Sequence, residues 1–124
     1  MSFRNMLSVL SLILVCSCGY SAGPGAINRD VLLFPADGTT QQPLDTEVTA
    51  DFGSEIEQPP DWATAFMLLK DGAGDNLCTS YNYDGSRHIA YCLHDALDAN
   101  SSYRVLVNGI LAINGATALW QTVE

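Results

Sequence analysis

The stretch LCTSYNYDGSRHIAYCL, residues 77–93, decides the fold, because it has the pattern of two strands joined by a turn. Asp84-Gly85-Ser86 is a strong hairpin signal between the predicted strands 77–83 and 87–93. The odd-numbered residues of 77–83 share one face of their strand, and those of 89–93 share one face of the partner strand. Cys78 and Cys92 fall on the opposite faces of these strands.

This hairpin predicts a disulfide bond. A loop centred on Gly85 places residues opposite one another when their numbers add up to 170, and Cys78 and Cys92 meet that condition. Directly opposed strand positions have Cβ separations that a disulfide can span. We expect the bridge on the outer surface of the sheet, as a structural staple worth about 3 kcal/mol. Two free thiols are the alternative.

Outside the hairpin, the sequence continues as short apolar runs separated by turn residues. In residues 46–52, Val48, Ala50 and Phe52 alternate with polar residues, and a period of two over this length predicts a half-buried strand. A long helical period is absent, and a short turn near 95–99 is the most that we expect. Seven strands at this spacing predict an all-β fold, an antiparallel sandwich. The remaining predicted strands are 31–34, 63–69, 102–109 and 116–123.

The start of the chain has the pattern of an export signal. Residues 6–15 are apolar with two serines and follow Arg4. Ten residues are too few for a spanning helix, which needs about 20. A positive start, a short apolar core and small residues after it predict a signal peptide over residues 1–17. Disulfides persist in exported proteins, which favours the predicted bridge.

Val15-Cys16-Ser17-Cys18 resembles the lipobox of bacterial lipoproteins, in which a small residue precedes the lipid-bearing Cys. Cys18 fits that role better than Cys16, because Cys16 follows the bulkier Val15. The resemblance implies a membrane anchor at Cys18 and, with Gly19 rather than Asp next in the chain, an outer-membrane location. The alternatives are plain secretion, for which Ser17 with Gly19 or Ser21 would suit an ordinary signal peptidase, and a C-x-C metal clip, which alone supplies too few ligands.

Removal of residues 1–17 leaves four basic and 14 acidic residues, a net charge of −10. Nucleic acid and anionic lipid head groups are therefore poor partners. Residues 18–30 are rich in Gly, Ala and Ser and suit a flexible tether. Residues 31–124 then form one domain with a single core.

Three segments carry a resemblance to a family: PADGTTQQPLDTEVTADFG (35–53), LDANSSYRVLVNG (97–109) and WQT (120–122). They resemble the bacterial Ig-like domain of surface-layer proteins, the SbsA type, with its P-x-D-G-A-T turn, its L-x-x-x-T-x-Y stretch and its closing F-x-T. The resemblance covers roughly residues 31–123. It departs from the family at EIEQPPDW (55–62) and in the added cysteines.

The resemblance implies an Ig-like sandwich in which Tyr103 is the corner tyrosine, its ring packed inward and its hydroxyl bonded to upstream main chain. Family members are mostly spacers, adhesion modules and surface-assembly parts. The resemblance therefore implies a non-catalytic cell-envelope lipoprotein, anchored in the membrane by its lipid, that binds an envelope protein or glycan through loops or a strand edge. It implies a core that includes Phe52, Phe66, Leu68, Tyr91, Val105 and Trp120.

Few residues suit chemistry. His88 and His94 are the weak candidates for a copper or zinc site, and the alternative function is a periplasmic metal-binding protein that uses both. Residues 71–76 hold carboxylates in a glycine loop but do not follow the calcium-loop pattern, which favours a simple turn. A G-x-S-x-G motif is absent, as is any His, Ser and Asp set at a recognisable spacing, so we expect neither enzyme activity nor a cofactor.

Trp62 is the one large aromatic residue in a predicted loop, after Pro59-Pro60-Asp61. Two interpretations stay open for it. Either it covers the edge of the sandwich, or it is an anchor for a binding partner, a role in which Trp is enriched.

Overall fold

A computed structural model describes residues 28–124, which form seven strands and one short helix. None of the helical structure in this range has the length and apolar character needed to cross a bilayer. The elements are β1 (Leu32–Phe34), β2 (Val48–Asp51), α1 (Trp62–Ala65), β3 (Phe66–Lys70), β4 (Cys78–Asp84), β5 (Ile89–His94), β6 (Ser102–Val107) and β7 (Ala116–Gln121).

The strands form two antiparallel sheets. The larger sheet has the order β1-β2-β5-β4, and the smaller sheet has the order β3-β6-β7. These are the two strand orders of a constant-type immunoglobulin sandwich. The predicted all-β sandwich of seven strands is therefore confirmed.

Strands β2 and β6 alternate between the core and the outer surface, as the sequence predicts. Val48 and Ala50 of β2 are buried against the smaller sheet, and Val105 and Val107 of β6 are buried against the larger one. Of the predicted core residues, Phe52, Phe66, Leu68, Val105 and Trp120 are buried.

The end of the smaller sheet is fixed by a tyrosine corner. The Tyr103 ring is buried and stacks on Trp120, with ring centroids 5.3 Å apart. The Asp98 backbone N–H donates to the Tyr103 hydroxyl at 2.8 Å. This geometry matches the arrangement that the Ig-like resemblance implies, and it ties the loop before β6 to the core.

One predicted strand begins with a helix. Residues 62–65 form a single helical turn, and only Phe66–Lys70 continue as a strand, whereas the sequence predicts a strand over 63–69. Asp61 caps the turn, because its side chain accepts a hydrogen bond from the Ala63 N–H at 3.0 Å. The turn ends at Phe66, whose backbone is extended. The predicted helical turn at 95–99 is not among the described elements.

The hairpin loop is longer than the sequence predicts. Asp84 pairs with Ile89, so the loop spans residues 85–88 rather than being centred on Gly85. The Asp84 carboxylate accepts hydrogen bonds from the Ser86 N–H and hydroxyl and from the Arg87 N–H. His88 closes the loop with a left-handed backbone, φ 61°. Facing residues therefore add up to 173 over most of the hairpin.

Neighbouring strand residues point to opposite sides of a sheet. Because the observed sum of 173 is odd and the predicted sum of 170 is even, each residue of β5 points to the side opposite the one predicted. Ala90 and Cys92 are buried, whereas Tyr91 is not, and the prediction that Tyr91 belongs to the core is wrong. A register shift between Cys78 and Ser80 turns Cys78 inward as well.

The predicted Cys78–Cys92 disulfide is confirmed, with the two Cα atoms 5.3 Å apart. Its predicted position is wrong. The bridge joins strands β4 and β5 on the inner side of the larger sheet, where Cys92 is buried and Cys78 packs against the core. The two cysteines are not directly opposed, since Cys92 faces Tyr81 and Cys78 faces His94.

Side-chain volume explains the reversed strand. The smaller sheet fills the core with large side chains, among them Phe66, Tyr103 and Trp120. Sheets stack about 10 Å apart and interiors are close-packed, so large residues on one sheet require small ones opposite. Ala50 and Ala90 supply that space on the larger sheet.

Candidate functional site

The reversal of β5 leaves large apolar side chains on the outer face of the larger sheet. Ile89 and Tyr91 are half-buried there, and Leu93 is 47% exposed. On β1, Leu32 and Phe34 point to the same side and are 70% and 49% exposed. Single exposed apolar residues are ordinary, but several on one sheet face indicate a contact surface.

Cross-strand pairing shows how these residues are arranged. Phe34 faces Thr49, which faces Tyr91. One row along the sheet, Leu32 faces Asp51, which faces Ile89. The outward side chains of β2 are therefore polar and lie between apolar side chains of β1 and β5.

Carboxylates accompany the apolar residues. Glu47 is exposed immediately before β2 and lines a shallow cavity of about 250 Å³ together with Tyr91 and Leu93. Asp51 lies within β2. We call this surface the acidic face, defined by Leu32, Phe34, Glu47, Asp51, Ile89, Tyr91 and Leu93.

Three of the four cations of the described residues are engaged elsewhere. Lys70 binds Asp98 at 2.8 Å, and Arg104 lies 3.7 Å from Asp71. The hydrogen bond and the attraction of the Asp98 carboxylate raise the pKa of Lys70 above its ordinary value. Arg29 donates to the Glu55 carbonyl oxygen at 3.1 Å.

The acidic face thus keeps its charge. Arg87, the fourth cation of residues 28–124, lies in the hairpin loop next to Asp84 rather than within the face. Glu47 and Asp51 are in none of the ion pairs formed within this part of the chain.

The candidate metal ligands do not meet. His88 precedes β5 and His94 ends it, so the strand rise of about 3.3 Å per residue separates them by roughly 20 Å. Both ring nitrogens of His94 lie against carbonyl oxygens, at 2.6 Å from Asp95 and 2.8 Å from Thr46. In residues 28–124, no three His, Cys, Asp or Glu side chains are grouped to hold a metal ion. The two histidines therefore do not share one metal ion in this fold.

Trp62 is the first residue of α1 and packs against the core. It is half-buried, and its ring stacks on Tyr81 and Tyr83 with centroid distances of 6.3 and 5.9 Å. The Phe52 ring is tilted against the Trp62 ring, with the two centroids 6.4 Å apart. These contacts favour the interpretation that Trp62 covers the core, while part of its surface still faces outward.

Asn76 connects this aromatic cluster to both sheets. Its Oδ1 accepts from the Leu68 N–H and the Cys78 N–H, both at 3.1 Å. Its Nδ2 donates to the Tyr81 hydroxyl at 2.8 Å and to the Ala63 carbonyl at 3.2 Å. All the donor hydrogens and both acceptor positions of the amide are thereby used.

Tyr81 completes the connection. Its hydroxyl donates to the Phe66 carbonyl oxygen at 2.6 Å, so it spans the two sheets. Burial raises the pKa of Tyr81 above its ordinary value, against the opposing effect of the hydrogen bond from Asn76. The neutral phenol is therefore the form that this site stabilises.

A second cavity, of about 230 Å³, lies beside the tyrosine corner and is lined by Lys70, Asp75, Leu77 and Asp98 among others. Its one cation is held by Asp98. The predicted turn at 71–76 contributes to this cavity, and its final residue is the structural Asn76. The charged groups of this cavity are therefore occupied by the Lys70–Asp98 ion pair, and its loop has a structural role through Asn76.

The predicted signal peptide and Cys18 lie outside the described residues, as does the tether up to residue 27. Among the described residues, Arg29 already contacts the domain, just before the predicted domain start at residue 31. The Arg29 N–H donates to the Ala112 carbonyl at 2.9 Å, and the Asn114 N–H donates to the Arg29 carbonyl at 2.7 Å.

No protein-family model matches the sequence, and no curated protein is similar enough to match it. The geometry of the chain itself must therefore carry the functional argument. Sequence reasoning missed the acidic face because it placed the apolar residues of β5 in the core. The small size of Ala90 and Cys92, which alternate with the apolar residues of β5, is the feature of the sequence that could have revealed this face.

Proposed function

We propose that this protein is a non-catalytic, lipid-anchored module of the bacterial cell envelope that binds another envelope protein through the acidic face. The observation that carries the proposal is the row of large apolar side chains on that face, with Leu93, Phe34 and Leu32 substantially exposed. Such surfaces recur at protein contact sites.

The resemblance to the SbsA-type Ig-like domain supports the same function. The strand orders β1-β2-β5-β4 and β3-β6-β7 and the Tyr103 corner suit that family. Membership in it is part of this proposal, as is the outer membrane as the location. Family members serve mainly as spacers and adhesion modules, which recognise rather than react.

The anchor is tested by feeding cells a fatty-acid analogue and comparing the full chain with Cys18→Ala and Cys16→Ala. We expect Cys18→Ala to abolish incorporation of the label and Cys16→Ala to retain it, because Ser17 and not Val15 precedes the modified thiol. Full labelling of Cys18→Ala would contradict the anchor.

Recognition is tested by photo-crosslinking in intact cells. Lys70 is the single lysine of the sequence and is bound to Asp98, so amine-reactive reagents sample the surface poorly. A photoreactive phenylalanine placed at Asn82 reports on the larger sheet, and one at Thr117 reports on the smaller sheet; both positions are exposed. A discrete protein adduct at either position supports a binding module, and adducts at neither contradict it.

A further inference from the structure

We propose that the acidic face binds an extended or helical segment of a partner protein that carries Lys or Arg side chains interspersed with apolar ones. This inference rests on the proposed function and adds to it the chemistry of the partner.

The size of the face suits a segment rather than a second domain. From Ile89 to Leu93 the strand rises about 13 Å, and β1 lies about 10 Å from β5 across β2, so the backbone of the face spans on the order of 130 Å². A stable interface between folded proteins buries about 800 Å² on each partner. A single chain segment can cover the smaller area.

The charge of the face selects cations. Glu47 and Asp51 lie within the face, and Asp45 lines its cavity beside Glu47. In the described residues the ion pairs of Lys70 and Arg104 are both formed elsewhere. A partner segment with Lys or Arg therefore meets carboxylates that have no cation of their own.

The arrangement also explains why apolar and charged groups occur together. Thr49 of β2 lies between Phe34 and Tyr91. Asp51 of the same strand lies between Leu32 and Ile89. Lys and Arg have long apolar stems with a charged end. Such a side chain packs its stem on Tyr91 or Leu93 while its charged end reaches Glu47 or Asp51.

The same charges disfavour two other occupants. A second copy would bring a further domain whose residues 31–124 include three basic and 13 acidic residues against the face. An anionic membrane surface would be repelled by the same carboxylates. A cationic segment is the one occupant that both the area and the charge support.

The test is photo-crosslinking in intact cells with the full chain, from Asn82, which faces Tyr91 on the outer side of the sheet. The matched position on the opposite sheet is Thr117, which faces Leu106. Each is combined with Glu47→Lys and, as a charge-matched control, with Glu57→Lys in the loop after β2. Retention of the Cys78–Cys92 bridge and of the thermal unfolding midpoint verifies that each variant is folded.

We expect an adduct at Asn82 whose partner peptide, identified by mass spectrometry, carries Lys or Arg beside apolar residues. Glu47→Lys should lower its yield about threefold to tenfold, since it replaces attraction by repulsion, while Glu57→Lys leaves the yield unchanged. Leu93→Ser should lower the yield about threefold to fivefold, and Leu119→Ser, at a similarly exposed position on the other sheet, should not.

Other outcomes overturn the inference in distinguishable ways. An adduct from Thr117 alone overturns the inference and leaves the proposed function standing. An adduct that is a second copy of the chain, a lipid or a glycan also overturns it, as does a yield at Asn82 that Glu47→Lys does not change. Adducts at neither position overturn the proposed function as well.

Discussion

Replacing Asn76 should destabilise the domain more than any other polar substitution in the loops that the structure describes. The Asn76 amide makes four hydrogen bonds, three of them in part-buried surroundings and the one to Ala63 exposed. A net contribution of about 1 kcal/mol for each part-buried bond gives about 3 kcal/mol for Asn76→Ala. For a domain of this size that loss lowers the unfolding midpoint by about 15 °C.

A second variant divides this effect between the two halves of the amide. Asn76→Asp keeps an oxygen for the Leu68 and Cys78 N–H groups but puts an acceptor where Nδ2 donated to Tyr81 and Ala63. We expect it to retain part of the stability, with a loss of about 2 kcal/mol. The order of stability is then wild type, Asn76→Asp and Asn76→Ala.

The assay is urea unfolding of the mature domain followed by tryptophan fluorescence, since Trp62 stacks on Tyr81 next to Asn76. Asn82→Ala is the matched control, because the Asn82 side chain is exposed and forms no hydrogen bond with residues 28–124; its effect should stay within about 0.5 kcal/mol. If Asn76→Ala unfolded within about 0.5 kcal/mol of wild type, Asn76 would not join the sheets as argued.

Three further predictions concern the β4–β5 hairpin. Ala90→Leu should lower the free energy of unfolding by about 1–3 kcal/mol, because it overpacks the core, whereas Tyr91→Leu should lower it by less than about 1 kcal/mol. If urea unfolding showed the reverse order, Tyr91 and not Ala90 would point into the core. Replacing Cys78 and Cys92 together by Ala should lower the free energy of unfolding by about 3 kcal/mol, and an unchanged urea midpoint would contradict the structural role of the bridge. Hydrogen bonds from the Ser86 hydroxyl and from the N–H groups of the turn lower the pKa of Asp84 below its ordinary 3.8. The ionised turn therefore stabilises the fold above pH 3.8, and this stabilisation is lost as the pH falls through the folded-state pKa. Asp84→Asn should therefore weaken the acid dependence of unfolding, and an identical pH profile would refute this.

The sequence predicted the fold where alternation alone decides the faces. Strand β2 shows Val48, Ala50 and Phe52 on one side, and all three are buried. Tyr103 and Trp120 were correctly placed in the core through the family resemblance. The predictions at these positions are correct because a strand with one buried face allows only one assignment of inside and outside.

The same reasoning failed in β5, where the pattern is ambiguous. Ile89, Tyr91 and Leu93 form a more apolar row than Ala90 and Cys92, so hydrophobicity alone puts the wrong row inside. The loop length decides the outcome, and a four-residue loop depends on the left-handed His88 and on the hydrogen bonds of Asp84. That choice depends on tertiary packing against the smaller sheet, which no local pattern contains.

The candidate site includes the outward row of β5, so the wrong assignment of that strand also hid the site. Phe66, Tyr103 and Trp120 fill the core from one sheet, and the small side chains of Ala50 and Ala90 supply space for them on the other. Once the small residues of β5 face inward, its large ones must face outward, and a free apolar row on an isolated domain is unfavourable in water. Stability alone would be served by polar residues at 89, 91 and 93, as at the exposed positions of β4. The partner that we propose would cover this apolar row, and the carboxylates beside the row are the reason for proposing one that brings positive charge.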